Sequence, residues 1–452
     1  MNNLITIQDI LIVPILLLTI YFISTRIQNK NIGDACYYKY FRKGLFIKIL
    51  AGLFFAGVYL LYYKGGDTVY YFTGSQSIAG MLNKNLLVFF KLLFGNHSLE
   101  VYSMFDRTTG WPPYFHDTNA FAVSRFNVPF YILGFGSYLG NTIVMNFILF
   151  FGIWRFYKML VELFPENKKW LAYAVFYVPS VVFWSSGILK DGWTLTAILF
   201  SLTNFYNIFI VKRNILSNIL WLLFWSYISF SIRPYMFYAT IASGLIWIGF
   251  NAVKTIESSF LRTIAMPFIL LLLWASGSII IVKTGSVAGS RYSSIDAMLE
   301  TAYIIQDDLK KDYYGGNSFD IGSFEPTIPG ILSKMPAAVT AGLFRPFIWE
   351  GNGILMLLSG IESLIFMIII TYILYKVKII GIIPQLFKNS FILAIFVLAF
   401  TFAFSVGLTT ANFGALVRYA IPVKILLAVV AAQIIFEIQK ISVNNNLSKK
   451  YD

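Results

Sequence analysis

Five polar clusters interrupt a chain that is otherwise strongly apolar, and each carries a side chain able to move a proton or hold an anion. The first is Gly65, Gly66 and Asp67. A carboxylate in that setting can take the proton of an attacking hydroxyl or bind a metal, and an Asp after a glycine break also caps a helix starting at Thr68. Lys190 and Asp191 follow, either a charged pair that contacts substrate or a turn that neutralises itself. Arg233-Pro234-Tyr235 and Arg345-Pro346-Phe347 repeat one pattern, in which proline fixes the backbone where a guanidinium leaves an apolar run. Guanidinium holds phosphate or carboxylate through paired donors; an isolated Arg at a helix end also snorkels to lipid headgroups. Glu350 lies close after Arg345, and Arg418-Tyr419 makes the fifth cluster.

The elements that must position these groups are membrane helices. Hydrophobic residues make up 58% of the 452 and charged residues only 12%, too little polar surface for a water-soluble globule of this length. Apolar runs near twenty residues recur along the chain, which predicts an all-α polytopic membrane protein forming one membrane domain. The formal charge of +14 does not mark a nucleic-acid binder, because the Lys and Arg fall in short clusters between apolar spans, the pattern of cytoplasmic loops. One cysteine, Cys36, excludes an internal disulfide, and two histidines, His97 and His116, are too few for a zinc-type cluster.

About eleven spans are expected, near residues 10–25, 45–63, 142–154, 171–186, 190–211, 215–230, 235–253, 264–282, 353–375, 390–406 and 419–437. Basic residues follow the first apolar segment instead of preceding it, which predicts a retained first helix with the N-terminus outside. Arg26 to Lys48, Arg155 to Lys169, Lys212-Arg213, Lys376-Lys378 and the tail with Lys440 then lie inside. Residues 64–140 and 284–352 become large outer segments, and all five polar clusters fall on the outer face. Runs 86–94 and 128–138 are too short to span and read as interfacial helices. Between them, Trp111-Pro112-Pro113-Tyr114-Phe115-His116-Asp117 is a rigid aromatic turn, either a headgroup anchor or a cleft wall. Residues 293–313 and 331–344 read as further helices, the first amphipathic. Glu362 lies on the order of 13 Å below the outer end of its helix, where an ionisable group needs a partner; one of the outer arginines is the expected one. No predicted inner loop carries a nucleotide-binding glycine motif or paired carboxylates, which speaks against chemistry on ATP or a nucleotide sugar there.

An acidic motif after an early helix, a long first outer segment with interfacial helices and a set of outer arginines resemble GT-C-type integral membrane glycosyltransferases. The layout is similar as well to the Wzy and EpsG-like polysaccharide polymerases of bacterial envelopes. The similarity rests on Gly66-Asp67 with Tyr70-Tyr71, on Ser185 through Asp191, and on Arg418-Tyr419-Ala420-Ile421-Pro422; Thr68 stands where the GT-C pattern has a second acid. The resemblance implies a bacterial inner-membrane enzyme of cell-envelope polysaccharide synthesis. Its substrates would be polyprenyl-phosphate-linked saccharides, with Asp67 as base or metal-binding acid, leaving room for a divalent metal. Arg233, Arg345 and Arg418 would bind phosphate, with Lys190 and Asp191 as further substrate contacts. A transporter or flippase of a lipid-linked saccharide is the alternative, and an assembly subunit a third.

Overall fold

The computed structural model describes residues 4–254, 256–258, 283–285, 290–311 and 317–451. It is helical throughout; among the described residues the one β pairing is an isolated antiparallel bridge between Ser318 and Asn412. The helices in chain order are α1 Asp9–Ile32, α2 Phe41–Gly57, α3 Asp67–Lys84, α4 Leu86–Leu93, α5 Leu99–Tyr102, α6 Thr118–Leu133, α7 Tyr138–Leu163, α8 Lys168–Phe176, α9 Pro179–Trp184, α10 Lys190–Phe205, α11 Ile215–Ile232 and α12 Pro234–Lys254. They continue with α13 Ile295–Asp308, α14 Ile328–Ser333, α15 Met335–Phe344, α16 Ile354–Lys388, α17 Ser390–Thr409, α18 Phe413–Tyr419 and α19 Ile421–Tyr451.

Nine helical segments among the described residues are long and apolar enough to cross a bilayer, and together they make the chain an all-α polytopic membrane protein. They correspond to nine of the expected spans. The expected span at 264–282 lies outside the described residues. The one at 171–186 is broken: α8 stops at Phe176 and α9 begins at Pro179, because proline lacks the N–H that would continue the helix and disfavours the α region for the residue before it. Of the two short apolar runs, 86–94 is helical as α4 and 128–138 as the second half of α6 up to Leu133; the amphipathic run is α13, capped by the Ser294 hydroxyl accepting from Ala297 N at 3.1 Å.

The chain folds as two compact units. The first holds Met1–Lys158, Val182–Phe200 and Phe224–Pro234; the second holds Met159–Val181, Ser201–Leu223 and Tyr235–Asp452. In the first, α3 packs along α6, and Ser75 donates to Ser124 O at 2.9 Å while Asn127 and Asn141 exchange amide hydrogen bonds at 2.8 and 3.0 Å. These pairings satisfy polar groups buried where no water could reach them. In the second, α15 lies against α17 at backbone distance: a Cβ on Gly342 would run into the Ala403 backbone, and one on Gly407 into that of Ala338. Small residues at such crossings let membrane helices approach closely.

The link between α2 and α3 sets the entry to the candidate site. Lys64, Gly65 and Gly66 all have positive φ, at 53°, 148° and 105°, so the chain reverses sharply before α3 begins at Asp67. A Cβ on Gly66 would lie 3.3 Å from Tyr59 Cε1. Gly66→Ala is therefore expected to lower stability by about 1–2 kcal/mol, read as a lower thermal unfolding midpoint of the purified protein; an unchanged midpoint would show that this reversal tolerates a side chain.

Candidate functional site

Four helix ends in the first unit supply the charged groups. Asp67 is the first residue of α3, Asp117 caps α6 by accepting from Ala120 N at 2.9 Å, and Lys190 and Asp191 open α10. Arg233 directly follows α11. Helix N-termini carry partial positive charge and favour carboxylates, whereas a C-terminus favours a cation, so Asp67, Asp117, Asp191 and Arg233 suit the ends they occupy, while the Lys190 ammonium stands against the dipole of α10. The charges of Asp117, Arg233, Asp67 and Asp191 all act on the Lys190 ammonium. Lys190 is thus the group around which the cluster is arranged.

Within it the groups are graded by burial. Arg233 Nη2 and Asp191 Oδ1 meet at 2.6 Å with both side chains buried. Asp67, Tyr114 and Lys190 are half-buried, and Asp117 is exposed. The Tyr114 hydroxyl donates to Asp67 Oδ1 at 2.7 Å, and the Tyr114 ring packs edge-on to Tyr70 at 5.7 Å and against Tyr71 at 5.1 Å. The prolines of Trp111 to Asp117 therefore place an aromatic wall over the Asp67 carboxylate. No hydrogen bond or ion pair from another described residue occupies the Lys190 ammonium.

The segment before Lys190 is an embedded connection, not a surface hairpin: Ile188 and Leu189 are fully buried. Three pegs hold it. Asn146 Nδ2 donates to Ser186 O at 2.7 Å; Lys48 Nζ donates to Ser185 O at 2.9 Å, to Ser185 Oγ at 2.8 Å and to Ser186 Oγ at 3.3 Å. Gly187 lies against the Phe55 ring, where a Cβ would not fit. Lys48 was expected with the basic residues of the first inner loop, yet it is buried within α2. Its three donors are satisfied by backbone and hydroxyl oxygens of the 185–186 segment, which is what allows an ammonium inside the unit. Opposite, Asn119 Nδ2 donates to Ser231 O at 2.8 Å, tying the start of α6 to the end of α11.

Asp67, Lys190, Asp191 and Arg233 thus share the first unit. Arg345 and Arg418 belong to the second. There Arg345 Nε lies 3.4 Å from Glu350 Oε1, and its guanidinium stands over Phe319 at 5.1 Å and Phe347 at 5.8 Å. Phe319 stacks on Phe413, the first residue of α18, whose last turn carries Arg418. Glu362 does have a partner, but not an arginine. Its two oxygens accept from Ser180 N at 2.7 Å and Ser180 Oγ at 2.6 Å, and the charge of Lys424 acts on it. Lys424 in turn donates to Ser363 Oγ at 3.1 Å.

Tyr114 and Asp117 are site residues that reading the sequence did not single out, although both sit in the proline-fixed aromatic turn. Among the described residues no three His, Cys, Asp or Glu side chains gather in a group that could hold a metal ion.

The fold and this cluster define an integral membrane protein with a charged site built at converging helix ends. Compared with protein-family models, curated proteins and solved structures, the chain matches none of them.

Removing one member of the buried pair leaves the other charged without this partner. Asp191→Ala is expected to cost about 3–5 kcal/mol and Asp191→Ala with Arg233→Met less than the sum of the two single changes, measured by chemical unfolding of the three variants. Additive losses would show that the pair is not coupled.

Proposed function

We propose that this protein is a glycosyltransferase or polymerase of the bacterial plasma membrane, acting on polyprenyl-phosphate-linked saccharides at the extracytoplasmic face for cell-envelope polysaccharide synthesis. The observation that carries this reading is a half-buried carboxylate, Asp67, held by Tyr114 and acting through its charge on the Lys190 ammonium. Glycosyl transfer to a hydroxyl needs a base for the acceptor proton and a cation for the leaving phosphate, and the two groups supply these.

In the reaction, the acceptor hydroxyl gives its proton to the Asp67 carboxylate as its oxygen bonds to the anomeric carbon of the donor. The bond from that carbon to the phosphate oxygen breaks, and the lipid-linked phosphate leaves with the electron pair, its charge met by Lys190. Tyr114 holds the Asp67 carboxylate in place through its 2.7 Å hydrogen bond. Asp191 engages Arg233 at 2.6 Å, which assigns that pair to fixing the first turn of α10, and hence Lys190, beside the base. Arg345 and Arg418, which belong to the second unit, take no part in this step.

A second reading, transport of a lipid-linked saccharide, draws on a separate observation. Glu362 and Lys424 are buried within spans, and α8 and α9 form a broken helix, both common in transporters. Proteoliposomes that move a lipid-linked saccharide across the bilayer without making a glycosyl product would favour it.

With a polyprenyl-diphosphate saccharide as donor, Asp67→Asn is expected to keep its unfolding midpoint and to lose product formation by about 100-fold or more; a fully active variant would remove Asp67 from the role of base. The orientation is checked separately. Cys36, the lone cysteine and exposed, is expected to react with a membrane-impermeant maleimide only after the membrane is opened, and labelling in intact cells would reverse the assigned sidedness.

A further inference from the structure

A cleft in the first unit is lined by none of the residues of the charged cluster. It measures about 760 Å³ and lies between α3, the turn from Asp106 to Gly110, and the end of α6 with the turn after it. On α3 it takes in Thr73, Gln76, Ser77, Gly80 and Asn83, which recur every three or four residues and so form one polar stripe along the helix. Across from them stand Arg107 and Thr108, and Tyr131 and Phe135 close the far side. Hydroxyl and amide groups that donate and accept, one guanidinium and two aromatic rings are the chemistry that recognises a sugar: polar groups for its hydroxyls, ring faces for its C–H surface.

Two features show that the cleft is built to stay open. The Asp106 carboxylate accepts from Lys84 Nζ at 2.7 Å, from Thr108 N at 2.8 Å and from Thr108 Oγ1 at 2.6 Å, and these bonds, the one from Lys84 foremost, hold its carboxyl well below the usual range. The turn is therefore fixed by its own acid, which leaves Arg107 without an ion pair among the described residues. Glycine at 80 brings α3 against the turn, where a Cβ would lie 3.3 Å from Thr109 Cα.

Phe135 is the sharper sign. It has φ of 57° and its side chain is 67% exposed. A bulky residue in the left-handed region costs about 1–2 kcal/mol that glycine there would avoid, and an exposed ring recovers little of that by burial. The position is held by backbone bonds on either side, Gly134 N to Phe130 O at 2.8 Å and Gly136 N to Tyr131 O at 3.0 Å. A strained aromatic exposed on the protein surface beside a polar cleft points to a role for the ring itself.

We infer that this cleft binds a saccharide chain, with Gln76, Asn83 and Arg107 meeting its hydroxyls and Phe135 stacking on a sugar ring. Its assignment as the acceptor subsite rests on the transferase reading; the binding itself does not.

The full chain in lipid nanodiscs, presented to an array of oligosaccharides that carry no lipid, tests the cleft. Wild type is expected to retain at least one glycan on the array, and Gln76→Ala, Arg107→Ala and Phe135→Gly each to weaken that retention about fivefold or more. Phe135→Gly should do so without lowering the unfolding midpoint, because glycine relieves the backbone. Absence of any retained glycan on wild type, or equal retention by all three cleft variants, would overturn the inference. A failure of the transferase reading looks different: wild type would form no product from the lipid-linked donor while still retaining glycan on the array.

Discussion

The ion pair between Asp191 and Arg233 is the contact on which the candidate site depends. At 2.6 Å and with both side chains buried, it joins the first turn of α10 to the residue that follows α11. Its location follows from helix electrostatics as well as from the pairing: a carboxylate at a helix N-terminus and a guanidinium at a C-terminus each offset a partial charge of their own helix before they meet. Because both groups are removed from water, neither can be left alone without a large cost. That constraint fixes the direction in which α10 starts, and Lys190, one residue earlier, is carried with it to the boundary where Asp67 and Tyr114 stand.

The same rule, that a polar group buried in a membrane protein must be satisfied from within, organises the rest of the chain. Lys48 is held by Ser185 and Ser186, Glu362 by both donors of Ser180, and Asn127 by Asn141. Several of these partners belong to interruptions in regular helix. Ser180 follows Pro179 at the start of α9, and Ser185 follows its end, so the break at residues 177–178 frees backbone groups that a charged side chain from elsewhere then engages. A broken helix and buried ionisable residues are in this way two sides of one arrangement.

The cleft along α3 shows a different balance. There Gln76, Asn83, Arg107 and Thr108 are exposed, the Asp106 carboxylate is engaged by its own turn and Lys84, and the backbone carries strain at Phe135. Under the proposed function, the Asp67 carboxylate at the start of α3 and the polar stripe farther along the same helix would separate chemistry from recognition. One rigid element holds both in a fixed relation, as a transferase reading would require of base and acceptor.

Much of the architecture was legible in the residues alone. Hydropathy and the placement of Lys and Arg located nine of the expected spans, because in a bilayer length and apolarity alone decide which segments cross. The break at Gly65-Gly66 and the rigidity of Pro112-Pro113 were equally readable, since glycine and proline act through their own backbones. Identifying Asp67, Lys190, Asp191 and Arg233 as polar singularities needed no coordinates either. Partners could not be read. Asp191 sits next to Lys190 in sequence yet binds Arg233; Glu362, expected beside an arginine, binds Ser180; Lys48, counted with a basic loop, is buried. Tyr114 reaches Asp67 across 47 positions, a separation over which no periodicity or motif speaks. Residue types and local spacing fix what each helix is and where it ends. Which charges face one another depends on how those ends converge, and only packing in three dimensions decides that.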